Sequence, residues 1–146
     1  MEKELFIEKI TTRFGDKILR TEIIKQNRIL VDIDKHAILE IVDYLHNGIQ
    51  FRFIIASAFH TKAGFEILYH FSDDKAGNIA NFHVVLPQEN PEIESLTQCF
   101  IAADWIEREM HELFGITFLN HTNPGKLLSE GNWAEGVYPY RKDFTK

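Results

Sequence analysis

The chain has 146 residues, of which 45% are hydrophobic and 26% charged, a composition typical of one folded domain with its own apolar core. Its formal net charge of -6 excludes nucleic acid as the main partner, because phosphate binding requires a basic surface. Cys99 is the only cysteine, which excludes an internal disulfide and any iron–sulfur cluster held by this chain alone.

Direct insertion into a membrane is not expected either. The N-terminal residues lack the apolar core of a signal peptide. The longest uncharged apolar stretch, residues 53–59, is far shorter than the ~20 residues that a spanning helix needs. We therefore expect a peripheral protein that reaches a membrane only by binding something that spans it.

The first half of the chain predicts two helices separated by a β-hairpin. Apolar residues recur at helical spacing after residue 4, and Gly15 is suited to end that helix. Two β-rich segments flank Gln26 and Asn27, and this pattern predicts a hairpin turn there. Asp34 can cap the second helix through its side chain. The predicted elements are a helix over 4–14, strands over 18–25 and 28–33, and a helix from 34 to about 47.

The second half predicts three consecutive strands followed by a long helix. Two breaker segments, residues 61–64 and 73–78, separate three runs that are rich in β-branched and aromatic residues. Pro91 closes this meander, and Gly115 ends the helix that follows. The predicted strands cover 50–60, 65–72 and 79–86, and the predicted helix covers about 92–113.

This order of elements predicts an α+β fold, with a mixed or antiparallel sheet of about five strands and helices packed on one face. We divide the chain into an α+β domain, residues 1–118, and an irregular tail, residues 119–146. Glycine and proline break the tail, yet it is too apolar for a solvated linker. The tail either folds back over its own sheet or packs against another protein.

Four ionisable residues continue the apolar stripe of the long helix when it is drawn at ~100° per residue. Asp104 and Arg108 are spaced for pairing along the helix, and so are Glu107 and His111. Such a group is commonly a solvated helix end. Large apolar neighbours such as Trp105 favour the other interpretation, in which the charges lie between two packed surfaces and need partners.

The sequence contains no phosphate loop, no dinucleotide fingerprint and no Gly-x-Ser-x-Gly elbow. His111 and Glu112 begin like a helical zinc motif, but Gly115 occupies the position of the second histidine. Two alternatives to a structural role stay open. One is a metal-dependent enzyme that uses Glu107, His111 and His121, and the other is a small ligand-binding domain.

A resemblance to a known family lies in residues 103–116, which are Ala-Asp-Trp-Ile-Glu-Arg-Glu-Met-His-Glu-Leu-Phe-Gly-Ile. This segment resembles the signature of the 30 kDa (C-type) subunit of NADH–quinone oxidoreductase, respiratory complex I. That family carries Glu-Arg-Glu, then an acidic residue, an aromatic residue and Gly-Ile. The matching residues here are Glu107, Arg108, Glu109, Glu112, Phe114, Gly115 and Ile116.

The tail carries a second motif that resembles the same family. The family has a Gly-His-Pro loop and an ending close to Pro-Leu-Arg-Lys-Asp-Phe. This chain has Asn-His-Thr around His121 and Pro-Tyr-Arg-Lys-Asp-Phe over 139–144, so that Tyr140 replaces the usual leucine. The stretch 133–139 is similar to the homologous subunit of energy-converting, membrane-bound NiFe hydrogenases.

The resemblance implies a non-catalytic structural subunit in the peripheral arm of a membrane-associated respiratory oxidoreductase, of the complex I type or of the hydrogenase type. It implies no cofactor in this chain, with iron–sulfur clusters and an NAD or NiFe centre carried by partner subunits. It also implies docking to the large 49 kDa-type subunit, beside the iron–sulfur small subunit, on the cytoplasmic face of the cell membrane. The residues expected in the family motifs and at the partner interface are Asp104, Glu107, Arg108, Glu109, Glu112, Phe114, Gly115, His121, Trp133, Tyr138, Pro139, Arg141, Lys142 and Asp143.

Overall fold

The computed structural model describes residues 2–122 and 138–141. The predicted N-terminal helix, the hairpin and the three-stranded meander are confirmed. The second predicted helix is confirmed as a helical run in which the central α-helix is flanked by a 3-10 turn, Lys35–Ala37, and a π turn, Tyr44–Gly48. The elements in chain order are α1 (Lys3–Phe14), β1 (Ile18–Lys25), β2 (Arg28–Ile33), α2 (Ile38–Asp43), β3 (Arg52–Thr61), β4 (Gly64–Asp73), β5 (Asn78–Leu86), β6 (Glu92–Glu94), α3 (Ala103–Phe114) and β7 (Thr117–Leu119).

The first five strands form one mixed sheet in the order β1-β2-β5-β4-β3. Neighbouring strands are antiparallel except β2 and β5, which run parallel with Val31 opposite Phe82. The chain therefore crosses over from β2 through α2, β3 and β4 before β5 enters the centre of the sheet. This arrangement confirms the predicted α+β class with a mixed five-stranded sheet.

One face of the sheet forms the core with the helices. Phe6 of α1 contacts Phe82 edge-on at a ring distance of 6.4 Å, and Phe114 of α3 contacts Phe65 in the same way. Every second residue of the two central strands is buried, as expected for a sheet with one covered face. The buried residues on this face of β4 and β5 are Phe65, Ile67, Tyr69, Phe71, Ala80, Phe82, Val84 and Leu86.

The opposite face of the sheet carries a polar chain that crosses all five strands in spatial order. Arg20 donates to Asp32 at 3.0 Å, and Asp32 is 2.8 Å from Nδ1 of His83. Nε2 of His83 is 2.6 Å from Glu66, which in turn accepts from the Thr61 hydroxyl. This row of hydrogen bonds from Arg20 to Thr61 links the five strands side by side.

The prediction of a long helix over 92–113 is wrong for the first half of that range. Residues Glu92–Glu94 form β6, which pairs in parallel with β7 so that Ile93 lies opposite Phe118. The backbone N–H of Ser95 donates to the Leu119 carbonyl at 2.9 Å. Helix α3 begins only at Ala103. Pairing with a strand that follows later in the chain overrides the local helical spacing.

Candidate functional site

Helix α3 holds the predicted family motif and presents it on two different sides. Glu107 and Glu112 are buried, at 1% and 5% exposure, whereas Glu109 is half-buried. The helix ends at Gly115, whose φ of 78° lies in the left-handed region that favours glycine. The motif thus contributes to the interior of the domain as well as to its surface.

Glu107 ties α3 to the segment that follows β6. The Ser95 hydroxyl donates to one carboxylate oxygen at 2.6 Å, and the Leu96 backbone N–H donates to the other at 2.7 Å. Burial raises the pKa of Glu107 to about 7, while the two hydrogen bonds act in the opposite direction and Asp104 adds to the increase. A carboxyl group in this position satisfies buried donors that otherwise would have no partner.

His121, directly after β7, packs back against the first turns of α3. Its side chain is 3% exposed, and Nε2 lies 3.3 Å from Oδ1 of Asp104 and 3.7 Å from Oε1 of Glu107. Arg108 lies 4.0 Å from the other oxygen of Asp104. His111 donates through Nδ1 to the Ile116 carbonyl at 2.9 Å and so faces the C-terminal end of the helix. A cavity of about 60 Å³ lies among Glu107, Arg108, His111 and His121.

The segment 138–141 closes the C-terminal end of α3. The Tyr140 backbone N–H donates to the Leu113 carbonyl at 2.9 Å, and Nε of Arg141 donates to the Phe114 carbonyl at 2.6 Å. The Arg141 guanidinium also lies over the rings of Phe65 and Tyr138, at 4.9 and 4.5 Å. A cation placed on the last carbonyls of a helix satisfies free acceptors and complements the helix dipole.

Gly115 is required by this closure as well as by its backbone angle. A Cβ atom at Gly115 would lie 2.6 Å from the Arg141 guanidinium and 2.7 Å from the Tyr138 ring. The two family motifs, one on α3 and one in the tail, therefore meet at this glycine. Sequence analysis placed Arg141 against a partner, whereas the structure shows the contacts that it makes within its own chain.

The structure thus brings the predicted site residues together in two groups. The first comprises Asp104, Glu107, Arg108 and His121, and the second comprises Phe114, Gly115, Tyr138 and Arg141. Glu109 belongs to neither group, and Pro139 is half-buried beside Tyr138. Trp133, Lys142 and Asp143 lie outside the described residues.

Sequence analysis missed two features of this region. Ser95, which binds Glu107, was assigned to a helix that is not there. The side chains of Ile101 and Trp105 are 84% and 68% exposed, although they are large and apolar. The spacing of four between Ile101 and Trp105, which places them on the same side of a helical turn, could have indicated such a surface.

Within residues 2–122 and 138–141, no group of three or more His, Cys, Asp or Glu side chains is arranged to hold a metal ion. Glu107 and His121 do approach each other, but Nδ1 of His111 is hydrogen-bonded to a backbone carbonyl. In the same described part of the chain, no helix combines the length and apolar character needed to cross a membrane.

Residues 31–146 match the family model described as respiratory-chain NADH dehydrogenase, 30 Kd subunit. The C-type subunit of the F(420)H(2) dehydrogenase of Methanosarcina mazei is 30% identical over 147 residues, which cover 99% of this chain and 92% of that protein. The C-type subunit of the NADH-quinone oxidoreductase of Citrifermentans bemidjiense is 28% identical over 148 residues, with coverage of 98% and 89%. These matches confirm the family predicted from the two motifs.

A longer relative is the combined C/D-type subunit of the NADH-quinone oxidoreductase of Yersinia pestis, 25% identical over 150 residues that cover 94% of this chain and 25% of that protein. Two solved structures share the fold. A fragment (1-134) of Nqo5 has a TM-score of 0.70 at 18% identity, covering 84% of this chain and 99% of the fragment. A chain of an archaeal membrane-bound sulfane sulfur reductase has a TM-score of 0.79 at 21% identity, covering 99% of this chain and 86% of that chain.

Proposed function

This chain belongs to the 30 kDa subunit family of respiratory-chain NADH dehydrogenases, and from this premise we propose how it works in an assembly. It serves as a structural subunit in the peripheral arm of a membrane-associated oxidoreductase and carries out no chemistry of its own. It docks on the large 49 kDa-type subunit, beside the iron–sulfur small subunit. The partner subunits hold the redox cofactors, and the complex lies on the cytoplasmic face of the membrane.

The exposed apolar residues at α3 are the observation that carries this proposal. Ile101 and Trp105 are 84% and 68% exposed beside the family motif, and Tyr140 is exposed at the other end of the helix. Large aromatic side chains that gain burial on assembly are the residues that contribute most binding energy at interfaces. The motif residues Glu107 and Arg141 support this surface from within, because their hydrogen bonds hold both ends of α3 in place.

The name of the Yersinia pestis relative supports the choice of partner. The name describes a single polypeptide that combines a C-type and a D-type subunit. The match to this chain covers only 25% of that polypeptide. A C-type domain joined covalently to a further, larger part is held next to it at a high effective concentration. This chain matches separate C-type proteins over nearly its whole length. A non-covalent contact surface therefore has to hold it next to its partner subunit.

The proposed role does not depend on the electron donor. The two relatives that match along nearly their whole length are named for different donors, F(420)H(2) and NADH. Both relatives are named as C-type subunits, and a structural role is one that two complexes with different electron donors can have in common. An energy-converting hydrogenase would use the chain in the same position.

Substitution of the exposed tryptophan tests the docking surface. We expect Trp105→Glu to reduce the amount of this chain that co-purifies with a tagged large subunit by about 30-fold, the loss that corresponds to a hot spot of about 2 kcal/mol. Leu19→Glu is the matched control, because Leu19 is 64% exposed on the far edge strand β1, and should leave assembly unchanged. Normal co-purification of Trp105→Glu would contradict the proposal. Stoichiometric metal in the purified chain would instead favour the metal-dependent enzyme.

A further inference from the structure

Strand β3 is a long edge strand whose second half, after an irregularity between Phe53 and Ile55, lacks the usual protection against pairing. It has 10 residues and ends the sheet order, and within the described residues no strand pairs with its outer edge. Its pairing with β4 is regular from Ile55 to Thr61. Residues 53–59 contain no charged side chain and no proline, and Ile55 and Phe59 are 47% and 38% exposed. Natural proteins protect free edges with charges, bulges or covering segments.

The other edge of the sheet shows that protection. Strand β1 carries Arg20, Glu22 and Lys25, and its pairing with β2 is interrupted twice by irregularities. The stretch of β3 from Ile55 to Phe59 thus lacks the charges and irregularities that run along β1, and its exposure is a local feature rather than a general property of the domain.

A groove runs between the β3 edge and helix α3. It has a volume of about 270 Å³ and is lined by residues 55–58 of the strand. Ala56 and Ala58 are the strand residues directed toward the helix, and their small side chains leave space below Ile106, Met110 and Leu113. The groove therefore has an apolar floor, and its strand side is a β3 backbone edge with which no strand among residues 2–122 and 138–141 pairs.

The charge of the groove comes from one side chain. Among the described residues that line it, Glu109 is the only one with a formal charge, and no hydrogen bond or ion pair is found for its carboxylate within that part of the chain. A carboxylate on an apolar wall favours a partner that brings a Lys or Arg side chain.

We propose that this groove binds an extended segment of a neighbouring subunit, which pairs with the outer edge of β3 as a sixth strand of the sheet. The segment places an apolar side chain over Ala56 and Ala58 and a Lys or Arg side chain against Glu109. Strand addition of this kind takes affinity from main-chain hydrogen bonds and specificity from the alternate side chains. The inference rests on the assembly role proposed above and adds a second contact of different chemistry.

A second copy of this chain is a poorer occupant. Arg52 is the only lysine or arginine of β3, and it already donates to Asp74 at 2.9 and 3.1 Å, so a copy that paired strand to strand would not have a free cation for Glu109. Pairing of two such edges about a two-fold axis would also leave two carboxylates at one interface, which disfavours association.

Photo-crosslinking in the assembled complex tests the proposal. p-Benzoylphenylalanine is introduced at Ser57, which is exposed on β3, and, as the control, at Glu22 on the opposite edge of the sheet. The complex is isolated through a tag on the large subunit. We expect the probe at Ser57 to crosslink to a segment of another subunit that contains Lys or Arg, and the probe at Glu22 not to reach that segment. Glu109→Arg should lower the yield of this crosslink about tenfold, since it opposes like charges, whereas Glu8→Arg on the exposed face of α1 should not.

The outcomes separate this inference from the proposed function. Crosslinks from position 57 that join two copies of this chain or stay within one copy would overturn it, as would the absence of any crosslink in complexes that contain the chain. In each of these cases the chain still co-purifies, so the docking surface at Trp105 stands. Loss of co-purification by Trp105→Glu, with the crosslink at Ser57 retained in the residual complex, would support both.

Discussion

The ionisation of Glu107 provides a direct test of how the interior is built. Its carboxyl group is 1% exposed and has a pKa of about 7, against an ordinary value of 4.5. Because the pKa in the folded state lies above that in the unfolded state, the folded protein binds this proton more tightly. Stability from this group is therefore complete below pH 4.5 and is lost as the pH rises through 7.

The size of this effect follows from the two pKa values. Their difference corresponds to on the order of 3 kcal/mol in the free energy of unfolding, nearly all of it lost by pH 8. In Glu107→Gln the amide oxygen can still accept from the Leu96 N–H, and the amide N–H can donate to Ser95, so both contacts are retained. The variant should therefore become more stable relative to the wild type as the pH rises from 5 to 8.

The measurement is urea unfolding of the isolated chain, followed by circular dichroism at several pH values between about 5 and 8.5. Glu107→Ala serves as the contrasting variant, because it removes the same titrating group but also leaves the Leu96 N–H without a partner, so it should be less stable than Glu107→Gln by about 2–4 kcal/mol at every pH. A constant difference between wild type and Glu107→Gln across this range would refute the reasoning, since it would mean that Glu107 does not titrate near pH 7.

Three further substitutions have expected outcomes. Gly115→Ala should destabilise the chain by about 1–3 kcal/mol in urea, because a Cβ at a φ of 78° also collides with Arg141 and Tyr138. Arg141→Ala should cost about 1–3 kcal/mol, whereas Arg141→Lys should recover only part of it, since a lysine lacks the planar stacking over the two rings; equal stability of the two variants would contradict this. His83→Phe should destabilise by about 1–3 kcal/mol by removing the imidazole hydrogen bonds to Asp32 and Glu66, and an unchanged unfolding midpoint would show that the polar chain contributes nothing.

Much of the architecture was accessible from local patterns. The hairpin, the meander and the N-terminal helices have alternating or helical spacing of apolar residues, and such spacing depends only on near neighbours in the chain. The family was accessible because two motifs, at residues 103–116 and 139–144, stand at the right separation. The assignment of the motif residues to a partner interface stays a prediction.

The helix predicted over 92–113 shows where local patterns mislead. Ile93, Leu96 and Phe100 have helical spacing, yet Ile93 belongs to a strand that pairs with Phe118. The spacing of apolar residues indicates which side chains are buried. It does not indicate which segment, far away in the sequence, provides the backbone hydrogen-bond partners.

The positions of the charged residues were decided by tertiary contacts for the same reason. A stripe of charges on a helix has the same sequence whether it faces water, a partner or the interior. Glu107 is buried because Ser95 and Leu96 provide donors, and Arg141 lies on the end of α3 because Gly115 leaves room for it. The order of residues thus determined the elements and the family, while contacts between residues far apart in the chain determined which charges are buried and which surface is left for a partner.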